Sequence, residues 1–182
     1  METGSGVKHL KLFIRDARVS SVAVDMGRAS FEPADLPVIS HKPMISSPLA
    51  VGGLEYTVTC LSVGNPHCVV FCDAIDALDL QTLGPKFEHA PEFPERINTE
   101  FVRVVDRHTL RMRVWERGNG ETLACGTGAC AAVAAAVENG LCDMGSDVTV
   151  SLPGGDLSVN YTREKITLTG SAIMVYRGSF EY

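Results

Sequence analysis

Cys125 stands where a thiol, two glycines and the expected start of a helix meet. It precedes Gly126, Thr127 and Gly128, and the strong helix formers of residues 129–139 (ACAAVAAAVEN) follow. If the helix begins just after Cys125, its first amide N–H groups have no partner inside the helix and form a site for an anion. The helix dipole favours thiolate over thiol, so we expect a lowered pKa for Cys125. The segment therefore predicts a carboxylate site beside a base.

Two other polar clusters offer ligand contacts for such a site. Asn65, Pro66 and His67 form a turn that opens directly into an apolar run, where an amide and an imidazole can face a ligand. Glu116 and Arg117 end a predicted strand just upstream of the glycines. Each feature also has a plain structural interpretation: a turn histidine satisfied by backbone or water, a surface ion pair, and an inert thiol at a glycine-rich helix start. The local residues leave both interpretations open.

The remaining motifs suggested by these residues have weak support. Gly126, Gly128 and Ala131 spell GxGxxA, but no convincing parallel strand precedes them, and no acidic residue closes a second strand about 20 positions later. A P-loop is excluded because no Gly-Lys-Ser/Thr follows. The six cysteines form no CxxC pair, so we predict reduced thiols and no metal site, even with His67 beside Cys68.

Composition is typical of an ordinary globular protein. The 182 residues, 45% hydrophobic and 21% charged, suffice for one sizeable core or two small ones. The net charge of −6, with 16 Lys and Arg that form no basic run, argues against nucleic acid as a partner. No stretch reaches the roughly 18 apolar residues of a membrane span, and the first residues lack the features of a signal peptide. We therefore expect a cytoplasmic protein without membrane contact.

Alternation of apolar and polar residues predicts many strands. Residues 9–26 predict a hairpin around Arg15–Arg18, whereas four prolines predict a loop over 28–48. Another hairpin is expected over 99–116 around the Arg107-His108 turn, with one face in solvent. Further strands are expected near 54–62, 67–72, 147–152, 156–161, 165–169 and 171–177, and a short helix near 76–89.

The alanine-rich run after Gly128 predicts the central element of the fold. It is apolar over most of its circumference, and Gly140 is placed to end the helix as its C′ residue. A helix of this kind is normally buried. We therefore predict an α+β fold in which mostly antiparallel strands wrap around one central buried helix.

Four motifs, in their order along the chain, resemble those of diaminopimelate epimerase. They are Gly64-Asn65-Pro66-His67, Arg96-Ile97-Asn98-Thr99-Glu100-Phe101, Glu116-Arg117-Gly118-Asn119-Gly120-Glu121-Thr122 and Ala124-Cys125-Gly126-Thr127-Gly128-Ala129-Cys130. The later Leu152-Pro153-Gly154-Gly155 and Thr169-Gly170 resemble the end of that family's sequences. The resemblance spans nearly the whole chain, and the four motifs together are far more specific than any one of them.

The resemblance implies an epimerase that interconverts the LL and meso forms of 2,6-diaminopimelate in lysine biosynthesis, without a cofactor. Inversion needs a base on one face of the α-carbon and an acid on the other, and the family uses two cysteines, one from each of two similar domains. By the resemblance, Cys125 is the second of these thiols, and His67 and Glu116 tune the thiols. The implied substrate-binding residues are Asn65, Asn98, Glu116, Arg117, Gly126 and Thr127, with Arg117 suited to the distal carboxylate.

The resemblance does not include the family's first third, which carries an Asn-containing substrate loop and the partner thiol in a Cys-Gly-Asn-Gly motif. We expect residues 28–170 to form the complete second domain, and residues 1–27 and 171–182 to be strands of a truncated first domain. A chain with one thiol is expected to have little or no activity alone. Its uncovered apolar strands are expected to favour a homodimer or other self-association.

Three functional hypotheses follow. The first is the epimerase half-site, whose substrate is the small molecule diaminopimelate. The second is a related amino-acid racemase or isomerase that shares the architecture, although Asn65, Asn98 and Arg117 together favour diaminopimelate over proline-type substrates. The third is a vestigial or binding module that has no catalytic activity but retains affinity for anions or amino acids at the amides of residues 126–128.

Overall fold

The structure of this chain is a computed structural model that describes residues 1–3, 6–179 and 181. Within these residues it has thirteen β-strands, two α-helices and two short 3-10 helices. The strands are β1 (Glu2–Thr3), β2 (Gly6–Val7), β3 (Leu10–Arg15), β4 (Arg18–Gly27), β5 (Ser47–Val51), β6 (Leu54–Ser62), β7 (Pro66–Phe71), β8 (Asn98–Asp106), β9 (Thr109–Glu116), β10 (Gly120–Thr122), β11 (Asp147–Leu152), β12 (Gly155–Tyr161) and β13 (Ile166–Ser171). The α-helices are α1 (Leu80–Glu88) and α2 (Gly126–Glu138), and the 3-10 helices cover Pro33–Asp35 and Ile75–Ala77.

Eleven of the described strands form one mixed sheet. Its order is β3-β4-β13-β12-β11-β9-β8-β7-β6-β5, and β10 pairs with the end of β9. Neighbouring strands run antiparallel, except that β7 is parallel to β8 and β9 is parallel to β11. Each parallel pair is joined by a long crossover that contains a helix, α1 in the first case and α2 in the second, as parallel strands require. The predicted mostly antiparallel arrangement is confirmed.

Helix α2 lies at the centre of the sheet. It contacts seven consecutive strands in the sheet order, from β13 to β6. Seven flat strands spaced about 4.8 Å apart would span about 29 Å, far more than the roughly 10 Å diameter of a helix, so the sheet must curve around α2. Residues 128–136 of α2 are all buried, and Gly140 follows its end with a φ of 73°. The predicted α+β fold with a central buried helix is confirmed.

A second layer covers the other face of strands β6 to β9. Phe87 of α1 and Phe93 pack in one cluster with Phe101 and Trp115. As a result, β8 is buried on both faces from Asn98 to Val102. The prediction that one face of the β8–β9 hairpin lies in solvent is wrong near the start of β8, because the α1 layer covers the face opposite to α2 there. It holds near the turn, where Val105 and Arg111 are exposed on that face.

The helix expected over 76–89 is present in two pieces. The 3-10 helix at Ile75–Ala77 comes first, and Asp79 then caps α1 because its Oδ1 accepts a hydrogen bond from Thr82 N at 3.3 Å. Pro85 lies inside α1 without ending it. At Gly84, an added Cβ would lie 2.1 Å from Trp115 Cδ2, so the close approach of α1 to β9 requires a glycine there. Neither helix in the described part of the chain is long and apolar enough to cross a membrane.

The β3–β4 hairpin extends the sheet beyond β13. Its predicted turn at Arg15–Arg18 is confirmed, and Asp16 and Ala17 both have positive φ, as in the tight turns that suit hairpins. Strand β4 pairs with β13 over most of its length, whereas β3 is exposed at every residue. The hairpin therefore forms one end of the sheet with little core of its own.

The last predicted strand, over 171–177, is wrong. Strand β13 ends at Ser171, and residues 172–179 have no regular secondary structure, while residues 180 and 182 lie outside the described residues. Ala172 N still donates to Ser20 O at 3.1 Å, but residues 173–179 make no backbone hydrogen bond to any described residue. Alternation alone could not predict this, because a strand also needs a neighbouring backbone to pair with.

Candidate active site

The four motifs meet where strands β7 and β8 begin and strand β9 ends. Strands β7 and β8 are parallel with His67 opposite Asn98, so the motifs at their starts lie side by side. Strand β9 is antiparallel to β8, and its last residue, Glu116, therefore lies beside the start of β8. A turn at residues 117–119 and strand β10 fold the chain back along β9, and Cys125 follows shortly before α2 begins. The sheet register thus gathers residues that are far apart in sequence.

Cys125 is the N-cap residue of α2. Its backbone is extended, with φ −135° and ψ 113°, and its Sγ accepts a hydrogen bond from Gly128 N at 3.3 Å. Thr127 Oγ1 lies 3.5 Å from the same sulfur. Among the described residues nothing accepts a hydrogen bond from the amides of Gly126 and Thr127, so both can bind an external anion. The prediction that the helix starts just after this thiol is confirmed.

The pKa of Cys125 is raised, so the predicted lowering is wrong. Burial is the largest cause, since the residue is only 8% exposed, and the nearby carboxylate of Glu100 raises the pKa further. The hydrogen bonds from Thr127 and from Gly128 N at the helix start lower it, and Glu116 raises it again. The helix start therefore acts in the expected direction but is outweighed by burial and negative charge. Cys125 consequently rests as a thiol at neutral pH.

A buried histidine–carboxylate pair lies beside the thiol. His67 Nδ1 is 2.7 Å from Glu100 Oε1, and both side chains are fully buried. His67 Nε2 is 3.0 Å from Asn65 Oδ1, and Asn65 Nδ2 donates to Thr127 Oγ1 at 3.3 Å. Because Thr127 also contacts the sulfur of Cys125, these contacts link the predicted site residues of β7 to the thiol.

Asn98 joins the two sides of the site. Its Nδ2 donates to Pro66 O at 2.8 Å, and its Oδ1 accepts from Arg117 N at 3.0 Å. The side chain is buried, and both of its polar atoms bond to backbone. The contacts of Asn98 therefore hold the turn before β7 against the loop after β9.

Glu116 and Arg117 make no ion pair with each other. Glu116 Oε1 accepts a hydrogen bond from Thr122 Oγ1. Arg117 Nη1 donates to Glu95 O at 3.1 Å, and within the described ranges its guanidinium pairs with no carboxylate. A half-buried guanidinium with unused donors is suited to bind an anionic group. The surface ion pair considered from the sequence is thus not formed.

Glu88 supports the loop that carries Arg117. Its Oε2 accepts from Trp115 Nε1 at 2.7 Å, and its Oε1 accepts from Gly118 N at 2.9 Å. Burial raises the pKa of this carboxyl, but the hydrogen bonds from Trp115 and Gly118, with the nearby charge of Arg96, lower it overall. Glu88 therefore stays ionised and ties α1 to the end of β9.

Glu100 also belongs to this site, although no role was predicted for it from the sequence. Asn98, Glu100 and Val102 alternate along β8, and Val102 belongs to the core around α2. Glu100 is therefore an acidic residue on the strand face that packs against a buried helix. This alternation is the sequence signal by which it could have been found.

The other thiols near the motifs are poorly placed for proton transfer at this site. Cys68 follows His67 on β7 and so lies on the opposite face of the sheet. There it is the register partner of Cys60 on β6, under the α1 layer, and both are free thiols. Cys130 is fully buried in α2, and burial is the main cause that raises its pKa to about 12. In the described part of the chain, no group of three or more His, Cys, Asp or Glu side chains is placed to hold a metal ion.

Sequence comparison links the chain to one enzyme family. Residues 59–175 match the family model for diaminopimelate epimerase. The diaminopimelate epimerase of Acetivibrio thermocellus is 47% identical over 100% of this chain and 65% of its own length. That of Desulfovibrio desulfuricans is 44% identical over 99% of this chain and 65% of its own length. The chain thus spans 65% of the length of these curated relatives.

Solved structures resemble the chain in fold. A probable proline racemase from Agrobacterium radiobacter K84 has a TM-score of 0.66 at 16% identity, over 93% of this chain and 56% of that one. A hydroxyproline epimerase from Agrobacterium vitis has a TM-score of 0.60 at 16% identity, over 93% of this chain and 55% of that one. At this identity the likeness concerns the architecture alone, and it agrees with the predicted α+β fold.

Proposed function

Because this chain belongs to the diaminopimelate epimerase family, we propose that it carries one acid–base half of a diaminopimelate epimerase. The reaction interconverts LL- and meso-2,6-diaminopimelate, a step of lysine biosynthesis, without a cofactor. It needs a base on one face of the α-carbon and an acid on the other. The observation that carries the proposal is the thiol of Cys125 at the start of α2, beside the amides of Gly126 and Thr127, which have no acceptor among the described residues.

The proposed substrate position follows from two kinds of group among the described residues: backbone amides without an acceptor and a guanidinium without an ion pair. The α-carboxylate binds the amides of Gly126 and Thr127, which brings the α-carbon next to Cys125 Sγ. These amides then stabilise the negative charge that develops on the carboxylate as the α-proton leaves. Arg117, which forms no ion pair with a described residue, binds the distal carboxylate.

The other predicted residues act around this position. Asn65 contacts the substrate while held by His67 and Thr127. Asn98 fixes the backbone of Arg117, so its contribution to binding is largely through that contact. Glu116 and His67 tune the thiol, Glu116 by raising the pKa of Cys125.

Cys125 donates its proton to the carbanion in one direction and, as thiolate, accepts the α-proton in the other. Its raised pKa makes the thiol the resting form at neutral pH. A substrate ammonium group beside the sulfur favours the thiolate, because an opposite charge stabilises the ionised form. Substrate binding thus generates the base.

One thiol supports proton exchange but not inversion. Cys130 is fully buried with a pKa of about 12, and Cys68 lies on the other face of the sheet, so neither supplies the opposing acid. We therefore propose that this 182-residue polypeptide alone has little or no epimerase activity.

Separate incubations of the chain with LL- and with meso-diaminopimelate in D2O distinguish the half-reaction from the full one. Proton NMR follows loss of the α-hydrogen, and chiral chromatography follows formation of the other isomer. We expect exchange with retention of configuration in the isomer whose α-hydrogen faces Cys125. Cys125→Ser should abolish the exchange, whereas the matched variant Cys142→Ser should keep it, because Cys142 follows the far end of α2, about 20 Å along the helix axis.

Each contrary outcome points to a different hypothesis. Formation of the meso isomer that depends on Cys125 would contradict the half-site. Neither exchange nor heat of binding with diaminopimelate in calorimetry would contradict the substrate proposal and favour a vestigial fold. Exchange of proline without exchange of diaminopimelate would favour the related racemase.

We also propose that residues 28–170 form the domain that carries the site, and that residues 1–27 and 171–182 belong to a neighbouring domain. All proposed site residues lie within 28–170, whereas β3 is exposed throughout. Apolar side chains remain on this surface: Leu12 is 52% exposed and Ile173 is 82% exposed. A cavity of about 820 Å³ lies between the β3–β4 turn and residues 172–177. We propose that two copies of the chain associate through this surface.

Light scattering over a range of concentrations tests the association. We expect a mass that rises towards a dimer, and Leu12→Lys should weaken it. The control is Val105→Lys, since Val105 is 50% exposed but lies at the β8–β9 hairpin. A constant monomer mass at high concentration would contradict the association.

A further inference from the structure

The thiol and a buried carboxylate approach the same point beside Gly128. An ideal Cβ at Gly128 would lie 2.7 Å from Glu100 Oε1 and 3.2 Å from Cys125 Sγ. The sum of these distances is an upper limit on the separation of the two atoms, which are therefore less than about 6 Å apart. The glycine provides the space for this approach, because the Cβ of any other residue would lie within 3.2 Å of both atoms.

Only one oxygen of the Glu100 carboxylate has a hydrogen-bond partner among the described residues. Its Oε1 contacts His67 Nδ1 at 2.7 Å, but its buried Oε2 has no hydrogen-bond partner in the described part of the chain. Buried carboxylate oxygens without partners are rare and costly, so such a group is often retained for a functional reason. Negative charge at this place disfavours a second negative charge on the neighbouring sulfur.

We propose that Glu100 is a positioning residue of this site: its carboxylate holds the imidazole of His67 and keeps Cys125 in the thiol form until a cationic substrate group arrives. The ammonium group of an amino acid beside the sulfur opposes the effect of the carboxylate and releases the thiolate. This inference deepens the proposed function, and it rests on that function only for the role of Cys125 as the acid–base group.

Two other titratable groups interact with Cys125 directly, Glu116 from the end of β9 and Cys130 from α2 itself. His67 of β7 is linked to Cys125 only through Asn65 and Thr127. Glu116 is half-buried rather than fully buried, so solvent screens its charge more strongly than that of Glu100. Glu116→Gln is therefore the matched control for removal of a carboxylate.

The test measures alkylation of Cys125 by iodoacetamide in the full chain between about pH 6 and pH 10, because only the thiolate reacts. Peptide mass spectrometry reads each cysteine separately. Glu100→Gln should move the midpoint of the Cys125 profile to lower pH, with alkylation at about pH 8 at least about threefold faster than in the wild type. Glu116→Gln should move the midpoint less.

Cys142 is the internal reference, since it is buried after the far end of α2. A Glu100→Gln profile whose midpoint is unchanged or moved to higher pH would overturn the proposal. So would faster alkylation of Cys125 and Cys142 alike at every pH, because that pattern reports a loosened fold.

A second measurement on the wild type covers the case in which Glu100→Gln does not fold. Coupling between two groups is reciprocal, so the side-chain carboxyl ¹³C signal of Glu100 should shift over the pH range in which Cys125 ionises. The shift should vanish in Cys125→Ser, and its absence in the wild type would overturn the proposal. Neither measurement requires turnover, so failure of α-proton exchange would count against the proposed function alone.

Discussion

Replacement of Gly84 by Ala tests how the α1 layer supports the site, because two opposing effects act at this position. Alanine is favoured over glycine in a helix interior by about 1 kcal/mol. The added Cβ, however, would lie 2.1 Å from Trp115 Cδ2 and 2.4 Å from its Cγ and Cε3. Carbon atoms in contact are about 3.5–4.0 Å apart, so the overlap exceeds about 1 Å.

Trp115 cannot move without a second loss. The residue is 8% exposed, and Nε1 donates to Glu88 Oε2 at 2.7 Å, while the same carboxylate accepts a hydrogen bond from Gly118 N. Overpacking costs about 1–3 kcal/mol, and loss of a hydrogen bond to a charged group costs about 1.5–3 kcal/mol. These costs exceed the gain in helix propensity, and we expect Gly84→Ala to lower the free energy of unfolding by about 2–4 kcal/mol.

Urea unfolding followed by circular dichroism and by the fluorescence of Trp115, the single tryptophan, measures this change. Gln81→Ala, at an exposed position of the same helix, is the matched control and should change stability by less than about 0.5 kcal/mol. A Gly84→Ala protein as stable as the wild type, or more stable, would show that the contact between α1 and Trp115 does not require a glycine.

Three further predictions concern the site. At about pH 7, iodoacetamide should alkylate Cys125 more slowly than it alkylates glutathione, because burial and Glu100 raise the pKa of Cys125; faster alkylation would contradict this. Glu88 has a lowered pKa in the fold, so it contributes stability above its ordinary pKa that is lost as pH falls through the lowered value. Between about pH 3 and pH 7, the urea concentration at the unfolding midpoint should therefore vary less with pH in Glu88→Gln than in the wild type. An equal variation in both proteins would count against a stabilising role of the Glu88 carboxylate. Gly128→Ala should reduce α-proton exchange at least about tenfold with the fold retained by circular dichroism, because its Cβ would lie 2.7 Å from Glu100 Oε1; exchange at the wild-type rate would disprove this.

Local features were predictable because their causes are neighbours in sequence. The turn between β3 and β4, the break before β7 and the end of α2 at Gly140 each depend on a few adjacent residues. The burial of α2 was predictable for a similar reason, since alanines cover nearly its whole circumference. The cytoplasmic location and the lack of a nucleic-acid partner stay predictions from charge and composition.

Features that depend on distant partners were not predictable from the pattern. Strands β8 and β9 alternate as half-exposed strands do, yet the α1 layer covers their second face around Phe101 and Trp115. Residues 172–177 alternate as a strand does, yet beyond Ala172 they make no backbone hydrogen bond to a residue that the structure describes. Which residues form the site could be inferred only through the resemblance of the four motifs. The motifs are far apart in sequence, and only the strand register brings them together.

That a thiol caps the central helix follows from neighbouring residues, because Cys125, the glycines and the alanine run are contiguous and a cap is a local structure. The ionisation of that thiol depends instead on tertiary contacts. Burial under the curved sheet and the carboxylate of Glu100, which β8 places beside Gly128, raise the pKa of Cys125 against the effect of the helix start. Electrostatic and solvation energies depend on distances in space, and Glu100 and Cys125 come close together only after the strands have paired.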